Sequence, residues 1–150
     1  MGSVMGFNTA QKLIQSHLVA GEMKTGAPIE IRINQTLTQD ATGTLAMLSL
    51  EAIGLERVKT DVSVQYVDHN LLQIDNLNPD DHLFLESACR RSGVWYSRPG
   101  NGTSHAVHMQ RFGKPGASFL GSDTVTVQCI ISISSGRSKI RTIKAYEDIQ

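Results

Sequence analysis

The chain has 150 residues, 40% hydrophobic and 19% charged, with fourteen basic residues against fourteen acidic ones. That size suits one domain with a buried core and is too small for a large enzyme of several domains. Zero formal net charge argues against wholesale binding to nucleic acid or a membrane surface.

No apolar run approaches the ~20 residues of a membrane span. Residues 1–5 show no basic region leading into an apolar stretch, so a cytoplasmic protein without a secretory signal is expected. Residues 8–20 have the spacing of a helix, with Asn8 as cap, Gln11 three residues on, and Ala10, Leu13, Ile14, His17 and Leu18 on one face. Gly21 is a natural stop. Ile29, Ile31 and Ile33 alternate with Glu30, Arg32 and Asn34, the pattern of a half-buried strand. Asp40 is placed to cap a second helix running to Gly54, apolar on most sides and therefore expected to be buried.

Val62, Val64 and Tyr66 alternate again, and this strand runs straight into Asp68 and His69. A third helix is expected from Asn78 as cap, with Pro79 in the first turn and Asp80 and Asp81 against the helix dipole, ending near Gly93. Val94, Trp95 and Tyr96 form a short strand that opens onto the glycine- and proline-rich turn 98–102, and a last apolar piece, 117–120, leads to Asp123. Strands alternating with helices predict an α/β class, a mostly parallel sheet flanked by helices. Its predicted core includes Ile29, Ile31, Ile33, Leu48, Val62, Val64 and Leu120.

From Thr124 onward the pattern changes. Val125, Val127, Cys129, Ile131 and Ile133 alternate like one long strand, and basic residues outnumber acidic ones four to two over 124–150. Such spaced cations read as a solvated face. The two cysteines, Cys89 and Cys129, stand far apart and outside any CxxC spacing, which excludes a disulfide framework and a self-contained zinc or iron–sulfur site. Buried free thiols are expected. The sequons at Asn34 and Asn101 are expected to be idle.

In an open α/β sheet, ligands collect beyond the carboxyl ends of the strands. Three polar groups fall there: Asp68 with His69, the turn leading to His105, and Asp123. A carboxylate beside an imidazole can set its tautomer and basicity, as acid–base chemistry requires. Adjacent residues of an extended strand point to opposite faces, however, so Asp68 need not touch His69. The turn before His105 lacks the helical pattern that follows a dinucleotide loop, and reads as a surface turn. His17, His82 and His108 receive no role.

The series IRINQTLTQDATGT (31–44), SVQYVDHN (63–70), YSRPGNGTSHAVHMQRFGKPG (96–116) and LGSD (120–123) resembles the N-terminal part of the aconitase family, in order and in spacing, from about Gly6 to Asp123. Isopropylmalate dehydratases share the Asp-His pair and the glycine-rich turn, while the wording of the first and third blocks is closer to the aconitases. The resemblance implies a partial aconitase-type N-terminal α/β domain over 6–123. It also implies a hydro-lyase acting on a small tricarboxylate with a 4Fe-4S cluster. Carried over by position, Asp68 and His69 match the pair that handles the proton of the departing hydroxyl, and His105 matches a second active-site histidine. Asp123 matches an aspartate that contacts substrate, and Thr44 stands where some members place a substrate-binding glutamine.

The departures are equally plain. After Asp123 the family continues with serine and histidine, where this chain has Thr124 and Val125. The family's cluster cysteines, carboxylate-binding arginines and serine base would fall beyond this stretch, and Cys129 matches none of them. The expectation is therefore an aconitase-like segment that binds no cluster by itself and is inactive alone, with an unrelated, poorly ordered or newly paired tail over 124–150. The alternatives are an isopropylmalate dehydratase-type subunit completed by a separate chain carrying the cysteines, and a non-catalytic α/β binding module. Asp68, His69, His105 and Asp123 are expected to converge at one sheet edge.

Overall fold

The computed structural model describes residues 6–122. Asp123 and the tail over 124–150, with Cys129, lie outside the described residues.

The first helix forms as its cap predicts. In α1 (Thr9–His17) the Asn8 side chain accepts from the Gln11 amide at 2.9 Å, and the Gln11 side chain accepts from the Asn8 amide at 2.9 Å. This reciprocal box satisfies two otherwise orphaned donors. The chain then forms a small antiparallel pair, β1 (Leu18–Ala20) with β2 (Glu30–Ile31).

The main sheet starts at β3 (Gln35–Gln39), which leads directly into α2 (Asp40–Ala52), then β4 (Val62–Tyr66), α3 (Leu77–Ser92), β5 (Trp95–Ser97), α4 (Ser104–Phe112) and β6 (Phe119–Gly121). Its spatial order is β5-β4-β3-β6, with every neighbour parallel. The α/β class and the mostly parallel sheet flanked by helices are therefore as expected. The chain winds outward from β3 through β4 to β5, then returns to the other side of β3, so the order reverses between β3 and β6. Such a reversal opens a crevice at the carboxyl ends of the strands.

Each face of the sheet has its own apolar cluster. Leu37, Val64, Tyr66 and Phe119 pack against Val107, Met109 and Phe112 of α4. On the other face Met47, Leu85, Ala88 and Cys89 pack with Leu50, Phe84, Val94 and Tyr96, joining α2 to α3. Cys89 is a buried free thiol, as expected.

The strand expected at 29–33 is present only as the short β2, in the small antiparallel pair rather than the main sheet. Ile29 and Ile31 are exposed at 37% and 43%, Ile33 is half-buried, and an interior position of the main sheet is taken by β3 instead. The reason is chemical. The inward residues of β3 are Gln35, Leu37 and Gln39, so two of three buried positions are amides that hydropathy counts as polar. Gln35 donates to the Phe112 carbonyl at 2.8 Å, and on the other face Thr38 donates to Gln65 Oε1 at 2.5 Å. Buried polar groups paired in this way carry little penalty.

Other core expectations also need correction. Val64 is buried and Val62 half-buried, but Leu48 is 48% exposed because α2 turns Asp40, Gly43 and Met47 inward instead. Leu120 is 39% exposed, since Phe119 takes the inward position of β6. The third helix starts at Leu77, one residue before the expected Asn78 cap, and Asp75 Oδ1 accepts from the Leu77 amide at 3.0 Å. It ends on Gly93 at φ +75°, a left-handed cap that favours glycine. Among the described residues no helix is long and apolar enough to cross a membrane.

Candidate active site

Parallel pairing puts the last residues of β3, β4, β5 and β6 on one edge. Asp40 follows β3, Asp68 and His69 follow β4 after Val67, and Ser122 follows β6. The β3 and β6 mouths are tied together: the Ser122 amide donates to the Leu37 carbonyl at 2.9 Å, and the Thr42 and Ser122 hydroxyls are 2.6 Å apart.

The Asp-His pair does meet. His69 Nδ1 lies 2.8 Å from Asp68 Oδ1, although strand geometry alone would have separated the two side chains. The strand stops at Tyr66, and the chain beyond it bends around a second carboxylate, so the alternation of an extended backbone no longer applies.

That carboxylate is Asp40, 2% exposed at the first turn of α2. Its Oδ1 accepts from the amides of Asp68 at 3.3 Å and His69 at 3.0 Å, and its Oδ2 accepts from Asn70 at 2.8 Å. Burial pushes this carboxyl's pKa up, but the backbone donors of Asn70, His69 and Asp68 outweigh it and hold the group below its ordinary 3.8. His82 of α3 brings Nε2 to 3.3 Å from Asp40 Oδ2, at an angle that makes no hydrogen bond.

Asp68 is itself divided between two partners. One oxygen faces His69 and the other accepts from the Ser104 amide at 2.6 Å, at the start of α4. That contact brings the first turn of α4, and with it the half-buried His105, to the same edge as Asp68. His105 thus stands on a helix rather than in the surface turn that the sequence pattern predicts. The helix escapes pattern reading because its buried residues are Ser104 and His108, neither of them apolar. Thr44, in the second turn of α2, is half-buried, and its hydroxyl has no hydrogen-bond partner among the described residues.

Sequence reasoning assigned Asp40 only a capping role and His82 none. The signal for Asp40 is its place directly after β3, a strand whose polar inner face hides it from hydropathy. The cap is in fact Gln39, whose side chain accepts from the Ala41 amide at 3.3 Å.

Among the described residues Asp40, Asp68 and His69 are the set close enough to share a cation, with ligand atoms within 4.8 Å of one another. Both oxygens of Asp40 are already taken by backbone donors, which makes it a clamp rather than a ligand. An iron–sulfur cubane needs cysteine thiolates. The described residues offer one cysteine, Cys89, fully buried in the α2–α3 cluster with its thiol pushed up to about 12 by burial. It faces neither this edge nor solvent, so these residues do not fit such a cluster.

No family model matches the chain. Individual proteins do. It is 28% identical over 131 residues to a mitochondrial aconitate hydratase of Candida albicans, covering 78% of this chain and 17% of that protein. A mitochondrial aconitate hydratase of Saccharomyces cerevisiae is 28% identical over 134 residues, covering 80% of this chain and 17% of its own length. The 3-isopropylmalate dehydratase large subunit 1 of Thermotoga maritima is 25% identical over 122 residues, covering 81% and 29%. The chain thus spans about a sixth of the fungal relatives' length, at 17%.

Proposed function

Taking the chain as a segment of the aconitase family, the resemblance that these relatives support, we propose that it carries the proton-handling part of an aconitate hydratase-type dehydration site. The carrying observation is the Asp68–His69 contact of 2.8 Å at the carboxyl edge of the sheet. A hydroxide is a poor leaving group until it is protonated. With Asp68 accepting at Nδ1, the ring is oriented so that Nε2 is the atom left to hand a proton to the departing oxygen of a small tricarboxylate. His69 is 41% exposed at its side chain, so a ligand can reach it. Asp68 directs one oxygen at the ring and the other at the amide of Ser104, and His105 and Thr44 are proposed as substrate contacts at the same edge. Asp123 belongs to this proposal through its position in the family motif alone.

The other half of the chemistry, a base for the carbon-bound proton and a cluster to hold the hydroxyl, has no counterpart among the described residues. The chain alone is therefore proposed to be inactive. A second reading rests on the Thermotoga maritima relative, which is named as a large subunit: this chain would be completed by a separate one carrying the cluster cysteines. Location in the cytoplasm stays part of the proposal, and the fungal relatives carry mitochondrial names.

A chimera tests the role of His69. Residues 6–122 replace the matched stretch of the Saccharomyces cerevisiae relative, and aconitate hydration is assayed after anaerobic cluster loading. The expected result is an active chimera whose turnover falls about 100- to 10,000-fold on His69→Ala. A cluster-loaded chimera indifferent to that change would remove the proposal.

A further inference from the structure

Asp40 is the most heavily engaged carboxylate among the described residues, and the proton-handling proposal gives this clamp no part in the chemistry. It is 2% exposed, and it collects three successive backbone amides, Asp68, His69 and Asn70, on its two oxygens. Three donors converging on one buried anion hold a loop more firmly than neutral hydrogen bonds would, since bonds to an ionised group are about twice as strong. The loop so gripped contains both members of the Asp68–His69 pair. From the other side, α3 brings His82 to 3.3 Å, so the anion lies between the start of α2, the loop after β4, and α3.

The grip also decides which way the His69 ring faces. Asp40 Oδ1 is 3.8 Å from His69 Nδ1, while Asp68 Oδ1 is 2.8 Å from the same atom. Both carboxylates thus stand on the Nδ1 side, and a negatively charged acceptor there favours the proton on Nδ1. The loop backbone, not the imidazole, is what Asp40 binds directly. Its effect on the ring is therefore transmitted through the placement of residues 68–70.

We infer that Asp40 is a positioning residue: by anchoring the amides of residues 68–70, it holds His69 in the Nδ1–H tautomer against Asp68 and leaves Nε2 free for proton transfer. The inference rests on the proton-handling reading of His69 for its functional meaning, but not for its test. The tautomer is read from the ring itself, whereas the reading fails or stands on the chimera's turnover.

The test is nitrogen-15 NMR of the full chain at neutral pH, comparing wild type with Asp40→Asn. The amide side chain keeps the size of the acid but turns one acceptor into a donor facing the Asn70 amide. Wild-type His69 should show the Nδ1–H form as the dominant tautomer. In Asp40→Asn that dominance should be lost, with the population moving towards the Nε2–H form that an unconstrained histidine prefers, while the amides of β4 keep their protection. Asp68→Asn should do the same, which ties the signature to the Asp68 acceptor. A folded Asp40→Asn with His69 still predominantly Nδ1–H overturns the inference. Should that variant not fold, scalar couplings across the hydrogen bonds in the wild type decide. Couplings from the amides of Asp68, His69 and Asn70 to the Asp40 carboxyl carbon, together with a dominant Nδ1–H form, support the inference; their absence overturns it.

Discussion

His108 is 1% exposed and joins four elements. Gln35 of β3 donates its amide to the Phe112 carbonyl, which leaves Oε1 facing His108 Nε2 at 3.1 Å. Nε2 therefore carries the proton, and Nδ1 accepts from the Tyr66 hydroxyl at 3.1 Å. The ring also packs on Phe112 and Phe119 at centroid distances of 5.4 and 5.6 Å. Every polar atom in this chain of bonds is satisfied only while the imidazole is neutral. Burial, and then the nearby His105, push its pKa below the ordinary 6.5. The unfolded chain takes up a proton near 6.5 that the folded one resists, so stability is complete above that pH and declines as the pH falls towards the depressed folded value. The urea midpoint should fall between pH 7 and pH 5, and His108→Gln, less stable to begin with, should fall by less over that range. Equal slopes in the two proteins would contradict this account of the buried ring.

At the scale of elements, α2 lies so close to the sheet that a side chain does not fit at Gly43. A Cβ there would stand 2.2 Å from Gln65 Oε1. Gln65 is fully buried and holds its place by bonds to Thr38 and to the Tyr66 carbonyl, so it has nowhere to withdraw. Gly43→Ala should destabilise the domain by about 1–3 kcal/mol through overpacking, in spite of alanine's better helix propensity of ~1 kcal/mol. In a Gln65→Ala background the same change should become neutral or stabilising, as the space is then open. Denaturant midpoints of the four proteins check this, and a penalty unchanged by Gln65→Ala would show that the close approach is not its cause.

The same elements show where sequence reading succeeds. The run from Val62 to Tyr66 was legible because its alternation is apolar on one face, and α1 because its cap and box are local. Strand β3 and helix α4 were not, because their inner faces carry Gln35, Gln39, Ser104 and His108. Gln35 and His108 are buried by pairing with each other across the fold, over a separation that periodicity does not register. Asp68 and His69 were found by motif. Asp40 was not, since its meaning depends on three amides some thirty residues away.

For the whole molecule, the carboxyl edge of the sheet holds a clamp, an oriented imidazole and the start of a helix, but no set of cysteine ligands for an iron–sulfur cluster among the described residues. A rate requires these groups to act as a unit, so one part without the rest is expected to contribute nothing measurable. We propose that the described residues of this chain hold the proton-handling portion of such a site. Anaerobic iron–sulfur reconstitution of the pure chain, followed by the absorbance assay for aconitate hydration, tests it most directly. The expected rate is no higher than that of buffer, for wild type and His69→Ala alike. Hydration above the buffer rate that disappears on His69→Ala would contradict it, and would mean that the chain assembles a complete site from its own residues.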